Sequence, residues 1–477
     1  MKKYCIYLFT LVTITSCSDF LDLQPEYQVS EKSFYKSASD FETALIGNYA
    51  GLQGIHSTAL MYIGELTTDN AEVRWTSPSV SETEADEVSF TPSNGYLNTI
   101  WNGSFATISR SNNILARIDG VDLTAERKNQ FKGESLFLRA YGYFYLVRLF
   151  GEVPMVEVAF RSPNEIMKFD MSRKPISQIY DLIKKDLSEA ASLLTNVSGL
   201  SRSRASSGAA KALLGKVYLT LGEYDQASAV LKEVIDEQKY SLEPDYFRMF
   251  TNGNDELPES VFEIKYLSGN LGEGNSFSST FTPARFDMAI FPNNMQGNGR
   301  IIPTPEMAGS YESGDLRRSL SIGDSVLLVT GKYAKELYGL KFVDFTVGII
   351  SDGGINYTSL RYADVLLMYA EALNETGANS EAHTYLNMVR NRAGLVDLSG
   401  LSSEEFKLVM ERERRSEFFL EGHRWFDLVR TGRLKTVMNQ YFQDKGLSFS
   451  ISDHEWIMPI PLREIDIDPN LEQNPGF

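Results

Sequence analysis

Acid–base chemistry requires carboxylates with separated proton affinities, and the chain gathers carboxylates and arginines between Glu411 and Asp427. On a helix, Glu411 falls one turn from Arg415, Glu421 close to Arg424, and Asp427 close to Arg430. A pair that cleaves glycosides must flank a cleft, with one carboxyl held protonated. Carboxylates already matched by arginines are expected instead to bridge neighbouring helices, because structural ion-pair networks imitate sites. The 4 histidines, His56, His383, His423 and His454, show no metal-ligand spacing, and neither H-E-x-x-H nor G-x-S-x-G occurs. Ser33-Phe34-Tyr35-Lys36 satisfies S-x-x-K without a K-T-G partner. Asp466-Ile467-Asp468-Pro469-Asn470 starts like a calcium loop, but Pro469 interrupts it and no glycine follows at the sixth position. The expectation is a chain with no catalytic centre, no metal and no cofactor.

Binding a neutral, hydroxyl-rich ligand calls for an aromatic platform with planar amides or charges beside it. Of the 4 tryptophans, Trp101 lies in a helical run, Trp425 in a dense helical motif and Trp456 in the segment Trp456-Ile457-Met458-Pro459-Ile460-Pro461. All three are expected to serve structure. Trp75 alone stands in a polar stretch without periodicity, next to Asp69, Asn70, Glu72 and Arg74. The expected site is therefore Trp75 with Asn70 and Arg74, faced by Phe281, Phe286, Phe291 and Tyr311 with Arg285 and Asn294 as polar contacts.

These residues must be carried by a helical frame. Tyr362, Leu366, Tyr369 and Leu373 recur at helical spacing, Gly377 breaks the run, and Ala382, Leu386, Val389 and Ala393 resume it, with Ser380 as the expected cap. That is a helical hairpin of the tetratricopeptide kind. Phe137, Ala140, Tyr141, Phe144 and Val147 mark one face of a second strong helix, ended by Gly151 and Pro154. Its aromatic stripe reads as core. Leu214 to Tyr218 followed by Gly222 to Ala227 places small residues where helices cross. Four helix pairs are expected, near 126–194, 206–238, 359–393 and 404–441, after a first helix around Asp40 to Leu52. Two stretches interrupt them. Residues 67–95 are polar and aperiodic, and residues 240–356 are rich in Gly, Asn, Phe and Pro, with strand-like runs at Glu259 to Tyr266 and Val326 to Val329. The fold class expected is mainly α, a scaffold of about four helix pairs with long irregular insertions and a few short strands.

Charge and cysteine use narrow the partners. The net charge is −17 over 477 residues, with no basic run of the kind that tracks nucleic acid. Lys2 and Lys3, an apolar stretch from Tyr4 to Thr15 and the sequence Ile14-Thr15-Ser16-Cys17 read as an export signal over 1–16, too short in its apolar part to span a bilayer. The order Ile-Thr-Ser-Cys is similar to a bacterial lipobox, which implies acylation of Cys17, and Ser18-Asp19 with Asp22 resembles a surface-export signal. Residues 17–30 would be the tether and 31–477 a single domain. Cys5 leaves with the signal, so the mature domain has no thiol for a disulfide or a metal.

Several blocks together resemble the SusD/RagB family of outer-membrane nutrient-binding lipoproteins. They are Cys17 to Pro25, Arg361 to Glu375 with Leu386 to Leu395, Glu413 to Leu428, Trp456 to Pro461 and Pro469 to Phe477, with Asp468 and Glu472 departing from the family's more usual Asn and Thr. The resemblance implies a tetratricopeptide-like scaffold on the cell surface that captures a glycan and passes it to a SusC-like TonB-dependent transporter. A surface glycoside hydrolase, a peptide-binding uptake lipoprotein and a scaffold that binds only other proteins are the alternatives the residues leave open.

Overall fold

The structure, a computed structural model, describes residues 34–477 except Trp75, Pro469 and the side chains of Thr58 and Asn294. The export signal, Cys17, the tether and Ser33 lie outside the described residues, as does Trp75.

Eleven principal helices form the frame, each started or stopped by a local signal. Helix α1 (Ala38–Gly54) opens on a reciprocal cap between Ser37 and Asp40, and α2 (Gly95–Leu115) on Asn94, whose side chain accepts from the Tyr96 and Leu97 N–H groups. Helix α3 (Ala125–Phe150) ends where Gly151 takes φ +68°. It packs between α2 and α4 (Ile176–Leu193), and Phe137 and Tyr141 also meet Phe262 behind it, at ring separations of 5.0 and 5.8 Å. A single apolar face was expected for α3. Being enclosed on several sides, it instead buries nearly every residue from Gln130 to Phe150.

Helices α5 (Ser207–Leu221) and α6 (Tyr224–Asp236) form the second pair, turning on Gly222 at φ +71°. Gly215 lies directly under Leu231, and a side chain there would collide with it, which is why a small residue marks this crossing. Helices α7 (Tyr362–Glu375) and α8 (Asn379–Arg392) form the third, turning on Gly377 at φ +86°. Ser380 is inside α8, which starts one residue earlier than its expected cap. The pairs stack in sequence, α4 on α5 and α6 on α7, so each buries the apolar face its neighbour leaves open. The fourth pair is interrupted: α9 (Ser403–Glu417) lies against α7, and the chain then turns through Leu420 and Gly422, both at positive φ, into α10 (Arg424–Arg430) and α11 (Leu434–Asp444).

Strands are short and hold the excursions to the frame. Strand β1 (Ala71–Glu72) pairs antiparallel with β3 (Ile302–Pro303), and β2 (Ser260–Ile264) with β6 (Tyr357–Arg361); β4 (Ile322–Leu327) and β5 (Tyr333–Gly339) make a hairpin between them. The β2–β6 ladder closes the neck of the long insertion, and Arg361 at its end is also the N-cap residue of α7. The expected aperiodic excursion 67–95 needs correction. It contains a helix, Val80–Glu87, opened by a Ser79/Glu82 capping box, and its first residues, Thr67 to Ala71, are buried.

Candidate functional site

The carboxylate cluster of 411–427 faces inward. Glu417 accepts from Arg361 Nη1 at 2.5 Å and Arg317 Nη1 at 2.8 Å, and also pairs with Arg392. Glu421 accepts from Arg361 Nε at 2.7 Å and Lys341 Nζ at 2.9 Å; Glu259, from the far side of the insertion, takes Arg361 at 2.7 Å and Arg392 at 2.9 Å. Burial alone would raise the Glu417 carboxyl, but the three arginines overcome it and hold it well below the ordinary carboxylate range. Lys341 is pushed down to about 8 by burial, against the pull of Glu421. Of the expected same-helix pairs, Asp427–Arg430 forms at 2.9 Å. Glu411 instead reaches Arg424 and Arg433 while Arg415 is taken by Asp69 and Glu306, and Glu421 reaches Arg361 and Lys341, the turn at 418–423 having broken the helical register between Glu421 and Arg424. A carboxylate held ionised and buried as Glu417 is, among three arginines, is fitted to joining segments, not to proton transfer.

Glu65 and Asp86 are among the carboxyls shifted the other way. Burial raises Glu65 to about 7, yet it is sealed, accepting from the Gly422 N–H at 2.7 Å and Asn70 Nδ2 at 2.9 Å. Burial, with the charge of Glu72 beside it, raises Asp86 to about 7. His56 is enclosed by the Leu52 carbonyl and the Tyr141 hydroxyl, and burial lowers it to about 4. His423 stacks on Phe418 at 4.5 Å. Among the described residues no cluster of His, Cys, Asp and Glu could hold a metal ion.

The ligand-binding expectations divide. Asn70 is 1% exposed and bonded to Glu65 and to Arg415 Nε at 2.8 Å; its neighbour Asp69 forms a two-pronged pair with Arg424 at 2.8 and 2.9 Å. Phe281 is 0% exposed and stacks on Phe277, and Phe291 is buried against Phe345. Tyr311 packs on the core with its hydroxyl 3.4 Å from the Ser416 carbonyl. These four belong to the interior, because polar and aromatic residues in irregular chain are also what anchors it. Asn294 has no described side chain.

Arg74, Arg285 and Phe286 remain at the surface, and the fold brings their two segments together. The Arg74 N–H donates to the Gly299 carbonyl at 2.9 Å, one step beyond the β1–β3 pairing. Gly299, at φ +60°, a conformation that favours glycine, lies against Arg74 and Ala284. Arg285 pairs with Asp287 at 2.9 Å and Glu336 at 3.2 Å. Next to it Phe286 is 82% exposed. An aromatic ring held in water at the meeting point of two anchored loops, with a fixed guanidinium and carboxylates around it, can stack on an apolar ring face and bond its hydroxyls.

Trp456, expected to serve structure, reaches the surface. It is 43% exposed and lines a cleft of about 470 Å³ with Arg148 and Tyr180. The polar run Ser452 to Glu455 ahead of it was the available signal.

Comparison with known proteins gives a consistent picture. Residues 19–219 match the family model described as "Starch-binding associating with outer membrane", and residues 332–477 match that of the "SusD family". "SusD-like protein P2" of Formosa agariphila is 28% identical over 516 residues, spanning 100% of both chains. "SusD-like protein P38" of the same organism is 27% identical, spanning 99% of both. The solved structure of a "Laminarin binding SusD-like protein" is 28% identical, with TM-score 0.79 over 93% of this chain and 100% of its own.

Proposed function

This chain belongs to the SusD/RagB family, and from that membership we propose that it is an outer-membrane surface protein that binds a glycan and delivers it to a SusC-like TonB-dependent transporter. The observation that carries the glycan reading is Phe286, 82% exposed where the excursions 67–95 and 240–356 meet. Sugars offer apolar C–H faces that stack on such a ring, and Arg74 and Arg285 are placed to contact the hydroxyls around it. Trp75, adjacent to Arg74 in the chain, is assigned to the same platform. The related laminarin-binding protein supports a polysaccharide or oligosaccharide ligand. Binding without cleavage fits the neutralised carboxylates of the 411–427 cluster. Anchoring is assigned to acyl chains on Cys17 after removal of residues 1–16, with 17–30 as tether; several acyl chains on one residue hold a soluble domain firmly.

A glycan panel incubated with the purified protein tests this. Retention without shortening of the glycan is expected, and Phe286→Ala and Trp75→Ala are each expected to weaken it by about 1–3 kcal/mol, with base stacking as the calibration. Undiminished retention by both folded variants would remove this face from the site, and released shorter products would favour a hydrolase.

A further inference from the structure

The cleft beside Trp456 is built from other parts of the chain than the loop face: Arg148 on α3, Tyr180 on α4, Phe426 on α10, and Lys435, Asp453 and Trp456 toward the C-terminus. Its distinguishing group is Arg148. The guanidinium lies 3.8 Å from the ring centre of Phe144, 4.0 Å from that of Phe426 and 4.9 Å from that of Tyr145, and its Nε donates to the Phe144 carbonyl at 3.0 Å. The arginines around it are matched by acids: Arg430 by Glu371 and Asp427, and Arg414 by Asp364 and Asp427. Among the described residues no carboxylate stands within ion-pair distance of Arg148, and none accepts from its two terminal nitrogens. The one acid lining the cleft beside it, Asp453, is engaged by Lys435 at 2.5 Å.

Arg148 is half-buried at the wall of an open cleft, so an anion entering there meets a guanidinium that has no ion-pair partner among the described residues. Two further groups point into the same space. Tyr180 is buried with no hydrogen-bond partner for its hydroxyl among the described residues, and burial raises that hydroxyl to about 12, so it remains a donor. Trp456 offers a half-exposed indole at the rim. A volume of about 470 Å³ exceeds what a single carboxylate side chain fills and lies in the range of small-molecule sites.

We propose that this cleft is a second ligand site, separate from the loop face, and that it takes a uronic acid residue: the sugar carboxylate on Arg148 and Tyr180, the ring face on Trp456. The planar fork of Arg148 suits a carboxylate, which accepts two parallel N–H bonds. The preference for an anion comes from Arg148 itself; the choice of a sugar as its carrier rests on the glycan-binding reading.

The test uses the full chain and titrates D-glucuronate against D-glucose, read by tryptophan fluorescence and by calorimetry. A saturable response to glucuronate and none to glucose over the same range is expected. Trp456→Ala should weaken glucuronate binding about tenfold, the scale of one stacking contact. Arg148→Gln should abolish the preference for glucuronate over glucose, and Tyr180→Phe, which keeps the packing, should weaken binding severalfold if the Arg148 variant fails to fold. Phe286→Ala should leave glucuronate binding unchanged. Equal responses to the two sugars, or glucuronate binding untouched in Trp456→Ala and Tyr180→Phe, would overturn the proposal. Binding of N-acetylglutamate as tight as that of glucuronate would overturn the sugar assignment and mark the cleft as a contact for an acidic protein partner. Loss of neutral-glycan retention with glucuronate binding intact would count against the loop face alone.

Discussion

Arg361 shows how much a single residue can join. It links the neck of the insertion through Glu259, the end of α9 through Glu417, and the following turn through Glu421, at 2.5–2.7 Å, while being 1% exposed. Replacing it with methionine keeps bulk but leaves three buried carboxylates short of cations, so a loss of roughly 3–5 kcal/mol is expected in denaturant unfolding. A measured loss below about 1 kcal/mol would show the network to be dispensable. Glu65 makes a pH-dependent prediction. Its carboxyl ionises near 4.5 when unfolded and near 7 when folded. Its protonated form therefore favours the fold below about 4.5, and that contribution is lost as pH rises through about 7. His56 runs the other way in an overlapping window, from 6.5 unfolded to about 4 folded, so its contribution is present above 6.5 and lost as pH falls. The clean measurement is the difference between wild type and Glu65→Gln, which should grow by at most roughly 3 kcal/mol in the variant's favour from pH 4.5 to 7. A difference that does not change with pH would contradict the shift.

At the scale of elements, the decisive contact is backbone against backbone. Gly64, within the wide-turn helical segment Tyr62–Leu66, lies so close to Gly422 that a Cβ would fall inside that residue's backbone. This close approach lets Glu65 reach the Gly422 N–H and brings Asp69 and Asn70 to Arg424 and Arg415. Gly64→Ala should push the turn away and weaken all three links together, costing about 1–3 kcal/mol by overpacking. Gly54→Ala, with nothing within 4 Å, is the control and should change stability by a few tenths of that or improve it. Equal effects of the two substitutions would show that the approach carries no weight.

For the whole molecule, three stacked helix pairs and an interrupted fourth form a frame that carries two anchored excursions, an arrangement suited to presenting one face to a ligand and another to a partner. If a SusC-like barrel is that partner, affinity purification from native membranes should recover it in a complex burying more than about 2,000 Å², the size of permanent assemblies. Repeated recovery of the protein alone would count against it. Cys17→Ala should release the protein from the membrane fraction, and unchanged fractionation would refute the lipid anchor.

The amino-acid sequence by itself determined the helical frame. The 3.6-residue recurrence in Tyr362–Leu373 and Phe137–Val147, the capping residues and the glycines at Gly151, Gly222 and Gly377 are local signals, and local geometry obeys them. It also marked the family, through motifs whose residue order is enough. The third dimension decided which polar and aromatic residues of the excursions face water. Asn70 and Phe286 look equally available in a polar or irregular stretch, yet Asn70 is drawn inward by Arg415, 345 residues away, and Phe286 is left outside. No local pattern encodes that, because the burial of a residue in aperiodic chain is set by whatever distant segment arrives to pair with it. The same holds for the cleft at Arg148. Periodicity assigned the aromatic stripe of its helix to core, and the tertiary structure alone shows that this one arginine was given aromatic rings for neighbours and no acid.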